Sequence, residues 1–352
     1  MKIGSLFSGA GGLDLAVEQV FGGRTVWHCE VDPAASKVLE HRWPGVPNYG
    51  DVKSVAWGIW KQHTVEVLCG GFPCQDISSA GKQAGMGVGT RSGLWSEFAR
   101  AIKILRPRYV VIENVRNLLS VKANRDVESG SDALGDNSTE SVLRGLGAVF
   151  GDLSDLGFDA SWTTVPASAV GAPHRRERVF ILATATDAAG CRRAPTEPGP
   201  NELQGASVHV AGNGSGARDL ADLLPTPRAS RGGARGPDYQ RRNRDGSGGD
   251  DLITTAVEAV DTGTWGKYAA AIQRWEGIAG PVPQPTEPNS RGNPRLSSAF
   301  SEWMMGWPRG WVTDQGIGIS RNDQLRIIGN GVVPQQAYAA LTWLLGIAEA
   351  AA

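Results

Sequence analysis

Short apolar runs that each stop at a glycine turn or a carboxylate constrain this chain more than any other feature. Lys2 to Phe7, Thr25 to Cys29, Val65 to Cys69 and Tyr109 to Ile112 read as buried strands. They run into Ser8-Gly9-Ala10-Gly11-Gly12, Glu30, Gly70-Gly71 and Glu113, respectively. Between them lie segments of helical spacing, through Leu15, Val17 and Val20, and then from Ser92 to Leu105 through Leu94, Phe98 and Ile102. The first unit is thus a strand, a glycine turn and a helix. Open sheets built this way place ligands at the carboxyl ends of their strands.

One thiol stands at such an edge. Gly70-Gly71-Phe72-Pro73-Cys74-Gln75 carries Cys74 on a backbone bent by Gly and Pro, just after the Val65 to Cys69 run. It is either a nucleophile or a small buried hydrophobe, since free Cys is among the most buried residue types. The following stretch, Asp76 to Arg91, is rich in Gly, Ser and Ala and reads as a surface loop closing over a substrate.

Charged residues collect at the other strand ends. Glu30 lies about twenty residues after the glycines, the distance at which an acid accepts hydrogen bonds from ribose hydroxyls in nucleotide-binding α/β folds. Asp32, ahead of Pro33, reads as a helix cap. Asp51 is an adenine ligand or a turn residue. Glu113 is either a neighbour of Cys74 or a capped or paired buried acid. His174-Arg175-Arg176-Glu177-Arg178 leads into the strand-like run Val179 to Ala183. Guanidinium groups entering a core strand point to an anion or a polarised carbonyl, or else to a surface salt-bridge cluster.

With 352 residues the chain fits one large and one smaller domain. A net charge of −1 excludes an overall basic coat and leaves room for a local basic groove. Cys29, Cys69, Cys74 and Cys191 form no CxxC or Cys/His cluster, so no metal site or disulfide framework is expected. No segment reads as a signal peptide or a membrane span, and a cytoplasmic protein is expected. Residues 122–137 read as an exposed insertion. From Ala188 the composition turns to Pro, Gly, Arg and Asp. Arg228, Arg231, Arg235, Arg241 and Arg242 there make either a nucleic-acid surface or a linker. Leu296 to Trp307 is helical in pattern. Gly329-Asn330-Gly331 reads as an ordered loop opening a last helix that packs back on the first domain.

These segments together resemble the cytosine-5 DNA methyltransferases. Phe7-Ser8-Gly9-Ala10-Gly11-Gly12, Gly71-Phe72-Pro73-Cys74-Gln75, Glu113-Asn114-Val115, Arg176-x-Arg178 and Gly329-Asn330-Gly331-Val332-Val333-Pro334 look like five family motifs in the family's order. The family usually has Gln where this chain has His174. The resemblance implies a doubly wound, Rossmann-like α/β domain binding S-adenosylmethionine (residues 1–187 and 320–352). A smaller, irregular target-recognition domain would span residues 188–319. It implies Phe7, Ser8, Gly9, Gly11, Gly12, Leu13, Glu30, Val31, Asp51, Val52, Pro73, Asn330 and Val332 as cofactor residues. Glu30 would hold the ribose and Asp51 the adenine.

By the same resemblance Cys74 adds to carbon 6 of a flipped cytosine, Glu113 steadies ring nitrogen 3, and Arg176 and Arg178 polarise the carbonyl at carbon 2. Gln75, Ser78, Lys82, Arg91, Arg228, Arg231, Arg235, Arg241 and Arg242 would touch nucleic acid. Double-stranded DNA is then the partner of a monomeric enzyme, with a cognate restriction endonuclease as a functional companion. A tRNA-methylating relative and a catalytically inert DNA-binding homologue are the competing readings. A dehydrogenase is disfavoured because the glycine spacing is not GxGxxG.

Overall fold

Each of the four N-terminal apolar runs forms a strand, and the strands lie side by side. The computed structural model describes residues 1–58, 64–72, 93–119, 145–186, 223–228 and 251–351. In chain order the first half contains β1 (Lys2–Leu6), α1 (Gly12–Phe21), β2 (Arg24–Cys29), α2 (Pro33–Arg42), β3 (Val67–Gly70), α3 (Gly93–Leu105) and β4 (Tyr109–Val115). Next come α4 (Gly145–Asp155), β5 (Phe158–Pro166) and β6 (Glu177–Ala185). The described part of the second half contains α5 (Leu252–Thr262), α6 (Ala269–Ala279) and the two-stranded ribbon β7 (Thr286–Pro288) and β8 (Pro294–Leu296). It ends with α7 (Ser298–Met304), α8 (Arg321–Asn330) and α9 (Pro334–Ala351).

The main sheet has six strands in the order β2-β1-β3-β4-β6-β5. β1 pairs in parallel with β2 and β3, and β3 with β4, while β6 is antiparallel to both β4 and β5. This is the expected doubly wound α/β architecture, with a helix between successive parallel strands. Strand residues alternate between two cores, as the period of two requires. Leu68, Val110 and Ile112 pack on one face with Phe98 and Ile102 of α3. Val67, Cys69 and Val111 pack on the other with Val17 of α1 and Leu341 and Leu344 of α9. The last helix thus returns to the first sheet, as its sequence suggested. Each large apolar side chain so buried contributes about 1.5–3 kcal/mol.

A third core lies beside the sheet, where Val38 of α2 meets Trp275, Phe300, Met304, Trp307, Val312 and Ile328. Trp311 ties this core to the glycine turn by donating from Nε1 to the Ala10 carbonyl at 2.8 Å, and Arg42 lies over the Trp311 ring.

Local chemistry explains the element ends. Asp32 is the N-cap of α2, accepting from the Ala35 N–H at 2.8 Å with Pro33 in the first turn, as read from the sequence. Two readings need correction. Glu113 and Asn114 lie inside β4 and not beyond it, because the ladder with β6 continues to Val115, opposite Arg178. Gly329 and Asn330 are the last turn of α8 and not a loop, because a Ser320 cap starts a helix that stops only at Gly331.

Candidate active site

A cavity of about 560 Å³ opens at the carboxyl edge of β1 to β4, a volume typical of small-molecule sites. The chain runs from β1 outward to β2 and then crosses back to β3 on the other side of β1. Ligand crevices form at such a switch point, because the loops leave the sheet in opposite directions.

The turn after β1 is shaped by left-handed backbone. Gly9 and Gly11 have φ of 55° and 80°, and Phe7, a bulky residue, has φ of 54°. A left-handed aromatic residue is strained and persists only where its surroundings hold it. Here the Phe7 N–H donates to the Cys29 carbonyl at 2.8 Å. Glu30 closes the turn from the next strand: one carboxylate oxygen accepts from the Gly9 N–H and the other from the Asp32 N–H, both at 2.7 Å. Burial pushes the Glu30 carboxyl above its ordinary pKa, against the pull of these backbone donors.

Phe7, Ser8, Gly9, Gly12, Leu13, Glu30, Val31, Asp51, Val52, Asn330 and Val332 all line the cavity. Asp51 also accepts from the Lys53 N–H at 3.0 Å, so it caps a turn while facing the cavity. Gly11 does not line the cavity. A Cβ there would lie 2.3 Å from the Trp43 ring, so glycine is required by close packing as well as by φ. Pro73 lies outside the described residues.

The acid and the arginines come together, but not as a symmetrical trio. Arg178 Nε lies 2.8 Å from Glu113 Oε1, and both line the cavity. Burial pushes the Glu113 carboxyl above its ordinary pKa, while Arg178 and then Arg176 pull it down. Arg176 is buried and turns elsewhere, with φ of 22°. Its guanidinium donates to the carbonyls of Gly329 at 3.0 Å, Gly331 at 2.6 Å and Pro227 at 3.4 Å. It therefore braces the end of α8 against the sheet.

Cys74 lies outside the described residues, but the chain leading to it is held. Asn114 Nδ2 donates to the Phe72 carbonyl at 3.1 Å, and the Phe72 ring packs against Trp95. A Cβ on Gly71 would lie 2.8 Å from Glu113 Oε2, so the glycine lets the carboxyl reach the backbone leading to the thiol. Sequence reading did not single out Asn114 as a positioning residue. Its adjacency to Glu113 on alternate faces of a strand was the available signal.

Gln75, Ser78, Lys82, Arg91, Arg231, Arg235, Arg241 and Arg242 also lie outside the described residues. Arg228 is exposed and follows Pro227, whose carbonyl Arg176 holds. His174 is fully buried, with Nε2 2.9 Å from the Met304 carbonyl. Burial and the neighbouring Arg176 push its pKa down to about 3. The ring is therefore neutral, and since a carbonyl only accepts, the proton is on Nε2. Among the cavity residues that the sequence reading did not name is Arg326 of α8, which pairs with Asp32, also in the cavity lining, at 2.7 Å.

Among the described residues, Cys29 and Cys69 are buried and free, and no group of three His, Cys, Asp or Glu could hold a metal ion. Nor is any described helix long and apolar enough to cross a membrane.

The family model for C-5 cytosine-specific DNA methylases matches residues 1–344. Over 188 residues the chain is 35% identical to the type II methyltransferase M2.BsuMI of Bacillus subtilis (strain 168), a match covering 52% of this chain and 42% of the relative. It is 36% identical to the type II methyltransferase M.Eco47II of Escherichia coli, covering 52% of this chain and 39% of the relative. These matches thus span about two fifths of the relatives' length. In fold it is similar to the Dnmt2 methyltransferase of S. pombe, with a TM-score of 0.56, 12% identity and 99% of both chains covered. A putative DNA modification methyltransferase encoded within an E. coli prophage gives a TM-score of 0.54 at 18% identity, again over 99% of each chain. Motif order, cavity and family match converge on one conclusion: this chain belongs to the C-5 cytosine-specific DNA methylase family.

Proposed function

We propose that this protein methylates carbon 5 of cytosine within a specific duplex DNA sequence, using S-adenosylmethionine and a covalent attachment of Cys74 to the base. The observation that carries the proposal is a single cavity holding the Glu30-bound glycine turn at one end and the Glu113–Arg178 pair at the other. The first suits a nucleoside, and the second suits the polar edge of a pyrimidine.

The cavity fits the cofactor. Its volume is adequate, no atom lies within 4 Å of where a Gly9 Cβ would stand, and Glu30 presents a half-buried carboxylate to it. Glu30 would hold the ribose hydroxyls and Asp51 the adenine, with Phe7, Leu13, Val31, Val52, Asn330 and Val332 forming the walls. When bound, S-adenosylmethionine supplies an electrophilic methyl group.

The rest is the work of this chain. Cytosine carbon 5 is too weak a nucleophile unaided. The Cys74 thiolate adds to carbon 6, forming a C–S bond and pushing the ring electrons toward nitrogen 3, which takes its proton from Glu113. Burial, which raises the Glu113 pKa against the pull of Arg178 and Arg176, favours the acid form more than in an ordinary carboxyl. Arg178 orients Glu113 and meets the carbonyl at carbon 2, while Arg176 steadies the turn that carries Asn330. The enamine carbon 5 then carries the new methyl group. Loss of the carbon-5 proton to water re-forms the double bond, the C–S bond breaks, and the thiolate leaves while nitrogen 3 returns its proton to Glu113.

A stacked base cannot reach such a cavity, so the cytosine is extruded at a cost of a few kcal/mol. Residues 188–319 would read the flanking sequence, the enzyme acting as a monomer on DNA. A type II relationship suggests that it protects its site from a companion endonuclease. Bisulfite sequencing of DNA from cells expressing the protein should show one methylated sequence context, and DNA bearing 5-fluorocytosine there should be trapped on Cys74 in the presence of cofactor. Unmodified cytosines throughout would overturn the reading.

A further inference from the structure

Two exposed arginines that the mechanism does not use converge on one carboxylate at the rim of the cavity. Arg116 leaves the end of β4, and Arg175 precedes β6. Arg116 Nη1 lies 2.9 Å and Arg175 Nη2 3.5 Å from the same oxygen, Oε2 of Glu177. Arg116 stands between Val115 and Asn117, both of which line the cavity, and Glu177 precedes Arg178, which does too. The arginine side chains are 60% and 54% exposed while Glu177 is 19% exposed, so the guanidinium groups face solvent and the carboxylate sits behind them.

The charge balance here differs from that of the chain. The full sequence carries a net charge of −1. Among the described residues, the ion pairs at this rim set Arg116 and Arg175 against Glu177 and Arg178 against Glu113. Glu177, the one carboxylate they share among the described residues, cannot neutralise both outer arginines. Each touches it through one terminal nitrogen, and a guanidinium has five N–H donors in a fork suited to a tetrahedral oxyanion. An exposed ion pair of this kind is worth only about 0–1 kcal/mol, so the arginines can turn to a stronger anion at little cost.

We infer that Arg116 and Arg175 form a two-pronged clamp on a backbone phosphate of DNA next to the extruded nucleotide, with Glu177 spacing the prongs. This rests on the DNA methyltransferase reading above. Such a contact carries no sequence information but fixes where the duplex sits on the catalytic rim.

The test is the salt dependence of binding to a mixed-sequence DNA duplex, measured by fluorescence anisotropy from about 50 to 200 mM salt. Arg116→Ala and Arg175→Ala should each lower the slope of log affinity against log salt by about 0.9. Each should weaken binding roughly eightfold at 0.1 M, and the double variant should lose about twice the slope. Arg→Lys at either position should restore the slope, since it keeps the point charge. Glu177→Gln should leave the slope as in the parent, whereas arginines that merely braced Glu177 would show the same loss in all three variants. Affinity for S-adenosylmethionine should be unchanged throughout. A parent that binds DNA and a double variant with an unchanged slope would overturn this inference alone; a parent that does not bind duplex DNA would overturn the methyltransferase reading with it.

Discussion

Glu113 and Arg178 are diagonal neighbours on an antiparallel ladder: Val115 stands opposite Arg178 and Glu113 opposite Phe180, and Arg178 Nε reaches back 2.8 Å to Glu113 Oε1. Two rigid strands thus hold the acid and its partner without help from a loop. Glu113→Gln should keep the fold and cofactor affinity while lowering single-turnover methyl transfer by roughly 10²–10⁴-fold. Arg178→Leu removes the main charge that pulls the Glu113 pKa down. The acid then stays protonated to higher pH, so the alkaline limb of the residual pH–rate profile should move upward.

Gly71→Ala tests how closely the carboxyl approaches the backbone leading to Cys74, the proposed nucleophile. The added Cβ would lie 2.8 Å from Glu113 Oε2, and Arg178 occupies the carboxyl's other oxygen. A displacement of this scale should cost about 10²-fold in turnover with little change in the thermal midpoint. An equal loss of folding and activity would mean that the site there is merely packed.

Cys74→Ser should abolish turnover and covalent trapping while leaving the affinity for S-adenosylmethionine unchanged, as isothermal titration calorimetry can establish. Loss of cofactor binding in that variant would count against the assignment of the nucleophile.

Glu30→Ala removes the acceptor for the Gly9 and Asp32 amides together with the proposed ribose ligand. Hydrogen bonds to a charged group are worth about 1.5–3 kcal/mol. Cofactor affinity should therefore fall roughly 10–100-fold, with a smaller loss of stability.

His174 should make stability fall with acid. Its pKa is near 3 in the folded chain against an ordinary 6.5. Between these values the unfolded chain binds one more proton than the native protein. The His174 contribution is therefore intact above about pH 6.5 and is lost by about 1.4 kcal/mol per unit as pH falls toward 3. Denaturant titrations across that window should show this slope in the parent. His174→Gln, which can still donate to the Met304 carbonyl, should lack it.

The strands, the glycine turn, the Asp32 cap and the two acids at the sheet edge were legible in the amino-acid order. Each rests on interactions within a few residues: alternation that buries one side of a strand, a left-handed turn that needs glycine, a side chain that caps its own helix. Those same local rules determined that Glu30 would follow a strand end and that Glu113 would stand near the end of another, although the β4 ladder runs on to Val115. They could not determine which arginine serves Glu113. Arg176 and Arg178 look equivalent as neighbours in sequence, yet one pairs with the acid while the other braces Gly329, 153 residues away. Strand order, the antiparallel course of β6, the Trp43 contact that requires Gly11, and the meeting of Arg116 with Arg175 likewise belong to the tertiary structure. The reason is physical: local pattern fixes which way a side chain can point, but its partner is chosen by the register of distant segments, and that register follows from packing the whole core.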